Sequence, residues 1–79
     1  MQSIRAKLST GMVIANRSGL APYRVLYHVD SEYSDSTYKL INTLTGWTLI
    51  AHGVNLYADG LYDWDFSTHG HFQSLEEVI

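Results

Sequence analysis

The stretch "VNLYADGLYDWDF", residues 54–66, decides how this chain folds. Asp59-Gly60 stands between two runs, 54–58 and 61–66, and an Asp-Gly pair in that setting is the strongest short-range signal for a β-hairpin. Successive side chains of a strand point to opposite faces. Tyr62, Trp64 and Phe66 are therefore predicted on one face, and Leu61, Asp63 and Asp65 on the other. The arm continues into "STHGHF", residues 67–72, whose small and polar residues read as a loop.

Outward from the hairpin the same character repeats. "GMVIANR" (11–17) is a β-branched apolar run, and "SGLAP" (18–22) is a loop by its glycine and proline. In "YRVLYHVD" (23–30), Tyr23, Val25, Tyr27 and Val29 alternate with Arg24, Leu26, His28 and Asp30, the period of a half-buried strand. "SEYSDS" (31–36) is a polar loop with Tyr33 at its centre. "TYKLINT" (37–43) and "WTLIAH" (47–52) flank "LTG" (44–46), a tight turn suited to Gly46, and Gly53 reads as the break that ends the fourth run. "SLEEVI" (74–79) opens with Ser74 and Glu77 in the spacing of a capping box, which predicts a short C-terminal helical turn.

The expected fold is one mainly-β domain over residues 1–79, with five to six antiparallel strands and that terminal helical turn. Small β-domains close into barrels because closure removes vulnerable edges. The segments "GMVIANRSGLAPYRVLYHVD" and "YKLINTLTGWTLIAHG" resemble an SH3-like barrel over roughly residues 10–66. The resemblance is to the fold alone and carries no site residue with it. In size, and in having no catalytic motif, the chain is also similar in type to the accessory proteins of phages and prophages, which implies a regulator or inhibitor.

Composition narrows the function. Seventy-nine residues bury a smaller fraction of their surface than a larger domain does, and with no cysteine there is neither a disulfide nor a cysteine zinc site to help. The core must come from a chain that is 46% hydrophobic and 13% aromatic. "MQSIRAKLSTG" at the N-terminus has no apolar run suited to a signal peptide, and no stretch is long enough to cross a membrane as a helix. These features read as a soluble cytoplasmic protein with no membrane partner. Arg5, Lys7, Arg17 and Arg24 precede every acid, and all eight acids lie from Asp30 onward, so the net charge of −3 conceals a strong asymmetry.

Six tyrosines and two tryptophans exceed what so small an interior can satisfy, because a buried phenol or indole needs a hydrogen-bond partner. Tyrosine and tryptophan are also the residue types that anchor protein interfaces. The leading expectation is a non-enzymatic module that binds a protein partner through Tyr57, Tyr62, Asp63, Trp64 and Asp65, with the Tyr33 loop as a second contact. Against it stands the plain alternative that these rings only cover the core. A homodimer through an aromatic edge strand is a related possibility.

The other functional expectation is a nucleic-acid-binding barrel using Arg5, Lys7, Arg17 and Arg24, although five basic residues are few for binding phosphates. Catalysis has little to rest on. The chain lacks a nucleophile elbow, a phosphate loop and a cysteine nucleophile, and a small barrel has its interior filled by side chains. No metal or other cofactor is expected. His69 and His71 with Asp63 or Asp65 have the residue types of a zinc site, but a loop through Gly70 would not hold them rigidly.

Overall fold

The computed structural model describes residues 2–73. It is a small all-β half-barrel of six antiparallel strands, compatible with an SH3-like barrel. The strands are β1 (Ser3–Arg5), β2 (Val13–Ala15), β3 (Pro22–His28), β4 (Tyr38–Asn42), β5 (Trp47–Tyr57) and β6 (Tyr62–Phe72). No helix occurs among the described residues, so none there is long and apolar enough to cross a membrane. The capped turn expected over 74–79 lies outside the described residues.

The opening hairpin forms as expected. Asn55 faces Asp63 and Leu56 faces Tyr62, with Gly60 in the turn at φ 82°. The Asp59 carboxylate accepts from the Leu61 amide at 3.0 Å, the local bond that makes aspartate a turn residue. Two expectations need correction here. Gly53 does not end a strand, because β5 runs through it from Trp47 to Tyr57. Nor is "STHGHF" a loop. It is the second half of β6, where Thr68 faces Ile50, His71 faces Thr48 and Phe72 faces Trp47. Polar residues form a strand there because β5 offers its remaining edge, and ladder hydrogen bonds do not depend on side-chain polarity.

Gly53 bends β5. Leu49, Ala51 and Val54 all belong to the core cluster, and the step of three from Ala51 to Val54 breaks strict alternation. Gly53 permits the break because it sits at φ 70°, where other residues are strained. Before the bend β5 pairs with β4, and after it with β1, while β6 follows the opposite edge throughout. Between β4 and β1 the ladder is completed by loop residues. The Val54 amide donates to the Ser36 carbonyl at 2.8 Å, the Ala6 amide to the Val54 carbonyl at 2.9 Å, and the Ser36 hydroxyl to the Ala6 carbonyl at 2.9 Å.

β1 had no sequence signal, since three polar-flanked residues hold too little pattern to read. At the far side, the Arg17 amide donates to the Tyr62 carbonyl at 2.7 Å and Asn16 bridges Tyr62 in parallel, drawing the end of β2 onto β6 and curling the sheet.

The core is Ile14, Val25, Tyr38, Leu40, Leu49, Ala51 and Val54 with Ala6, bordered by Tyr23, Trp47, Tyr62 and Trp64. Tyr38 satisfies its phenol by accepting from the Leu8 amide at 3.0 Å. A register shift between Val25 and Tyr27 corrects the simple alternation of the second run. Val25 faces Leu40 in the core, but Tyr27 faces Lys39 on the outward side and is 52% exposed.

Candidate binding face

The bend at Gly53 determines what the outer surface of the hairpin carries. The Tyr62–Trp64–Phe66 face expected from alternation is split. Tyr62 and Trp64 turn inward against the core, Trp64 edge-on to Tyr23 at a centroid distance of 5.2 Å. Phe66 lies on the outward side, stacked on its cross-strand partner His52 at 4.5 Å and 11°. Tyr33, from the loop joining β3 to β4, meets the Phe66 ring edge-on at 4.9 Å. Tyr33 is 52% exposed and Phe66 44%.

Asp65 holds this arrangement together. One carboxylate oxygen accepts from the Tyr33 hydroxyl at 2.5 Å and from Arg5 Nη1 at 3.0 Å, and the other from Asn55 Nδ2 at 3.1 Å. Arg5 Nη1 also donates to Asn55 Oδ1 at 3.2 Å. β1, β5, β6 and the Tyr33 loop are thus tied at one carboxylate. Gly53 leaves the space: a Cβ there would lie 2.5 Å from Arg5 Nη1 and 2.6 Å from Asp65 Oδ2.

The hydrogen bond from Tyr33, then those from Arg5 and Asn55, hold the Asp65 carboxyl below its ordinary range, desolvation working against them. The same bond to Asp65 raises the Tyr33 phenol, and Asp65 raises Arg5. A carboxylate with three donors and a depressed pKa is a weak base at neutral pH, which makes it a clasp rather than a proton acceptor.

The clasp has a pH window. Asp65 titrates lower in the folded state, so its contribution is complete above the ordinary value of 3.8 and is lost as pH falls through the depressed one. Tyr33 titrates higher when folded, so its contribution is complete below the ordinary phenol value of 10.0 and is lost as pH rises through the raised one. Protection of the amides of residues 31–36 against exchange, taken relative to their intrinsic rates, is expected at neutral pH and is expected to fall in acid below that carboxylate range, and Asp65→Asn is expected to show the reduced protection already at neutral pH. Equal exchange in wild type and variant would remove the clasp.

The other expected site residues are dispersed. Tyr57 lies under the Arg17 guanidinium, 4.2 Å from its ring centroid, and Arg17 pairs with Asp59 at 3.3 Å. Arg5 and Lys7 line one groove of about 520 Å³ with His28 and Tyr38, whereas Arg24 stands on β3 opposite Ile41. The four basic residues therefore do not make one patch. His69 and His71 sit in a strand rather than a loop, so the expected want of rigidity was misplaced. Among the described residues, however, no three histidine, aspartate or glutamate side chains gather as a metal would require.

Comparison with protein-family models, with curated proteins and with solved structures returned no match. The site must therefore be read from its own chemistry.

Sequence reasoning missed Phe66 as an outward ring, and it missed Asn55, His52 and the role of Arg5. A signal was present: a lone glycine inside an apolar strand pattern often marks a bend or a close approach of chains, and Gly53 marks both.

Proposed function

We propose that the protein is a non-enzymatic binding module for a protein partner, built on an SH3-like barrel and acting as a regulator or inhibitor of the kind mobile elements encode. The observation that carries the proposal is the pair Tyr33 and Phe66, exposed side by side, with Tyr33 held by Asp65. Exposed rings on a mobile loop would lose much entropy on binding, but the clasp already orders Tyr33. Exposed aromatic anchors of this kind suit a partner that offers an apolar pocket. Of the residues named from sequence, Tyr33 and Asp65 remain central, and Asp63 stands opposite Asn55 on the same strand as Asp65. Tyr57 stands at the margin, and Tyr62 and Trp64 support the face from the core side.

The test uses the immobilised protein in its native cell extract. A specific partner is expected to be retained by wild type and by Leu44→Ser, whose side chain is 75% exposed on the turn between β4 and β5. Phe66→Ser is expected to weaken retention at least about tenfold, as loss of an interface anchor does. Undiminished capture by Phe66→Ser would exclude this face.

The nucleic-acid reading based on Arg5, Lys7, Arg17 and Arg24 has less support, because Arg5 and Arg17 are engaged with Asp65 and Asp59.

A further inference from the structure

β6 has one strand partner among the described residues, β5, which takes one of its edges from Tyr62 to Phe72. The other edge is met only at its start, where the Tyr62 carbonyl accepts from the Arg17 amide. From Asp63 onward no backbone group among the described residues pairs with it. Leu61 directs its carbonyl to Tyr57 and Tyr62 directs its own away from β5, so alternation puts the backbone groups of Trp64, Phe66 and Thr68 on the free edge. The Trp64 amide there takes the carboxylate of its neighbour Asp63 at 2.8 Å. Residues 65–67 and 69–72 are exposed. A long open edge of this kind is a template for another strand.

The order of residues along β6 says which strand. Asp63 and Asp65 stand four and two residues before Ser67, and His69 and His71 stand two and four residues after it. An antiparallel copy of β6, related by a two-fold axis at Ser67, sets Asp63 opposite His71 and Asp65 opposite His69, and does so twice. The faces agree as well. Tyr62 and Trp64 turn to the core side, and Gly70 and Phe72 lie on that side against Trp47. The same register sets Tyr62 opposite Phe72 and Trp64 opposite Gly70, each pair on one face, and Asp63 and His71 share the other face. A slip of one residue would put every pair on opposite faces, and a slip of two would leave one of the acids without a histidine.

We infer that the chain forms a homodimer by antiparallel pairing of β6 with β6 of a second copy across a two-fold axis at Ser67, joining two six-stranded sheets into one. A second copy is favoured over an unrelated strand because the acid–histidine complementarity of β6 is with itself. Asp65 is already held by Tyr33, Arg5 and Asn55, so the contact of Asp63 with His71 carries most of that complementarity. An imidazole N–H donates to a carboxylate in either charge state. The bulge at His69 and Gly70 interrupts the regular ladder towards each end, so association should be modest. The inference does not depend on the Tyr33–Phe66 face, and the axis leaves both copies of that pair on one side of the joined sheet.

The experiment is sedimentation equilibrium of the full chain over a concentration series, with cross-linking at the axis. Wild type is expected to associate to a dimer. Ser67→Lys sets two like charges opposite each other on the axis, and His71→Asp sets like charges together at two symmetric contacts. Each should weaken association about tenfold. Asp63→His combined with His71→Asp should restore it, a recovery that mere loss of local structure would not give. Because the chain has no cysteine, Ser67→Cys carries a single thiol that lies opposite its own copy, with Cα atoms about 4.5–5.5 Å apart and within disulfide reach. It should oxidise to a linked dimer much faster than Leu44→Cys, on the exposed turn between β4 and β5. Circular dichroism melts verify folding, and Ser67→Cys carries the test if the variants at 63 and 71 are unstable. A wild type that stays monomeric at every concentration overturns the inference, as does equal cross-linking by Ser67→Cys and Leu44→Cys. A dimer left intact by Ser67→Lys uses another surface and overturns it too, and so does a double variant that folds but stays as weak as His71→Asp.

Discussion

Trp64→Ala is expected to be among the most destabilising single substitutions in the chain, costing about 3 kcal/mol, the low end for removal of a tryptophan ring from a core. The low end applies because the ring is half-buried. It packs on the Ile14–Val25–Leu40–Val54 cluster and meets Tyr23 at an interplanar angle of 86°. A domain of this size has roughly 5–10 kcal/mol of stability in all, and each kcal/mol moves its melting midpoint by about 4–8 °C. Thermal unfolding followed by circular dichroism should therefore show a fall of more than about 10 °C. Phe66→Ala, on the same strand but outward and 44% exposed, should cost much less. If the two variants melted alike, the split of the hairpin's aromatic face by the Gly53 bend would be wrong.

The second large effect concerns Gly70. A Cβ there would lie 2.0 Å from Trp47 Cζ2 and 2.6 Å from Cε2, so the indole lies directly on the glycine. The ring packs against the core cluster and meets the Phe72 ring edge-on at 4.8 Å, so retreating from a methyl group would disturb both contacts. Gly70→Ala should cost about 1–3 kcal/mol through overpacking, or force β6 away from β5 beyond Thr68. The diagnostic is a double variant. In Trp47→Leu the ring is absent, and adding Gly70→Ala to that background should cost almost nothing. An additive loss would locate the strain elsewhere.

Much of the fold was legible before any coordinates. The Asp59-Gly60 hairpin, the Gly46 turn and the β3 and β4 runs are local features. Turn residues and side-chain period carry them within a few positions. β1 and the second half of β6 were not legible, because their pairing depends on an edge of β5 supplied by residues far away in sequence. The site followed the same division. Tyr33, Asp63 and Asp65 stood out as an aromatic and two acids in polar settings. Arg5 read as part of a basic patch because nothing in "SIRAK" announces a partner 60 residues away.

By itself, then, the sequence determined the class: antiparallel β, aromatic-rich, without a cysteine or any motif of known chemistry, and turned at glycines whose conformations are local. Only the tertiary structure decided which side of the hairpin each ring occupies. Alternation assigns faces correctly until a backbone bend shifts its phase, and whether Gly53 ends a strand or bends one depends on the strands that pair on either side of it. That bend sends Trp64 to the core and Phe66 to the surface, and it opens the space where Arg5, Tyr33 and Asn55 converge on Asp65.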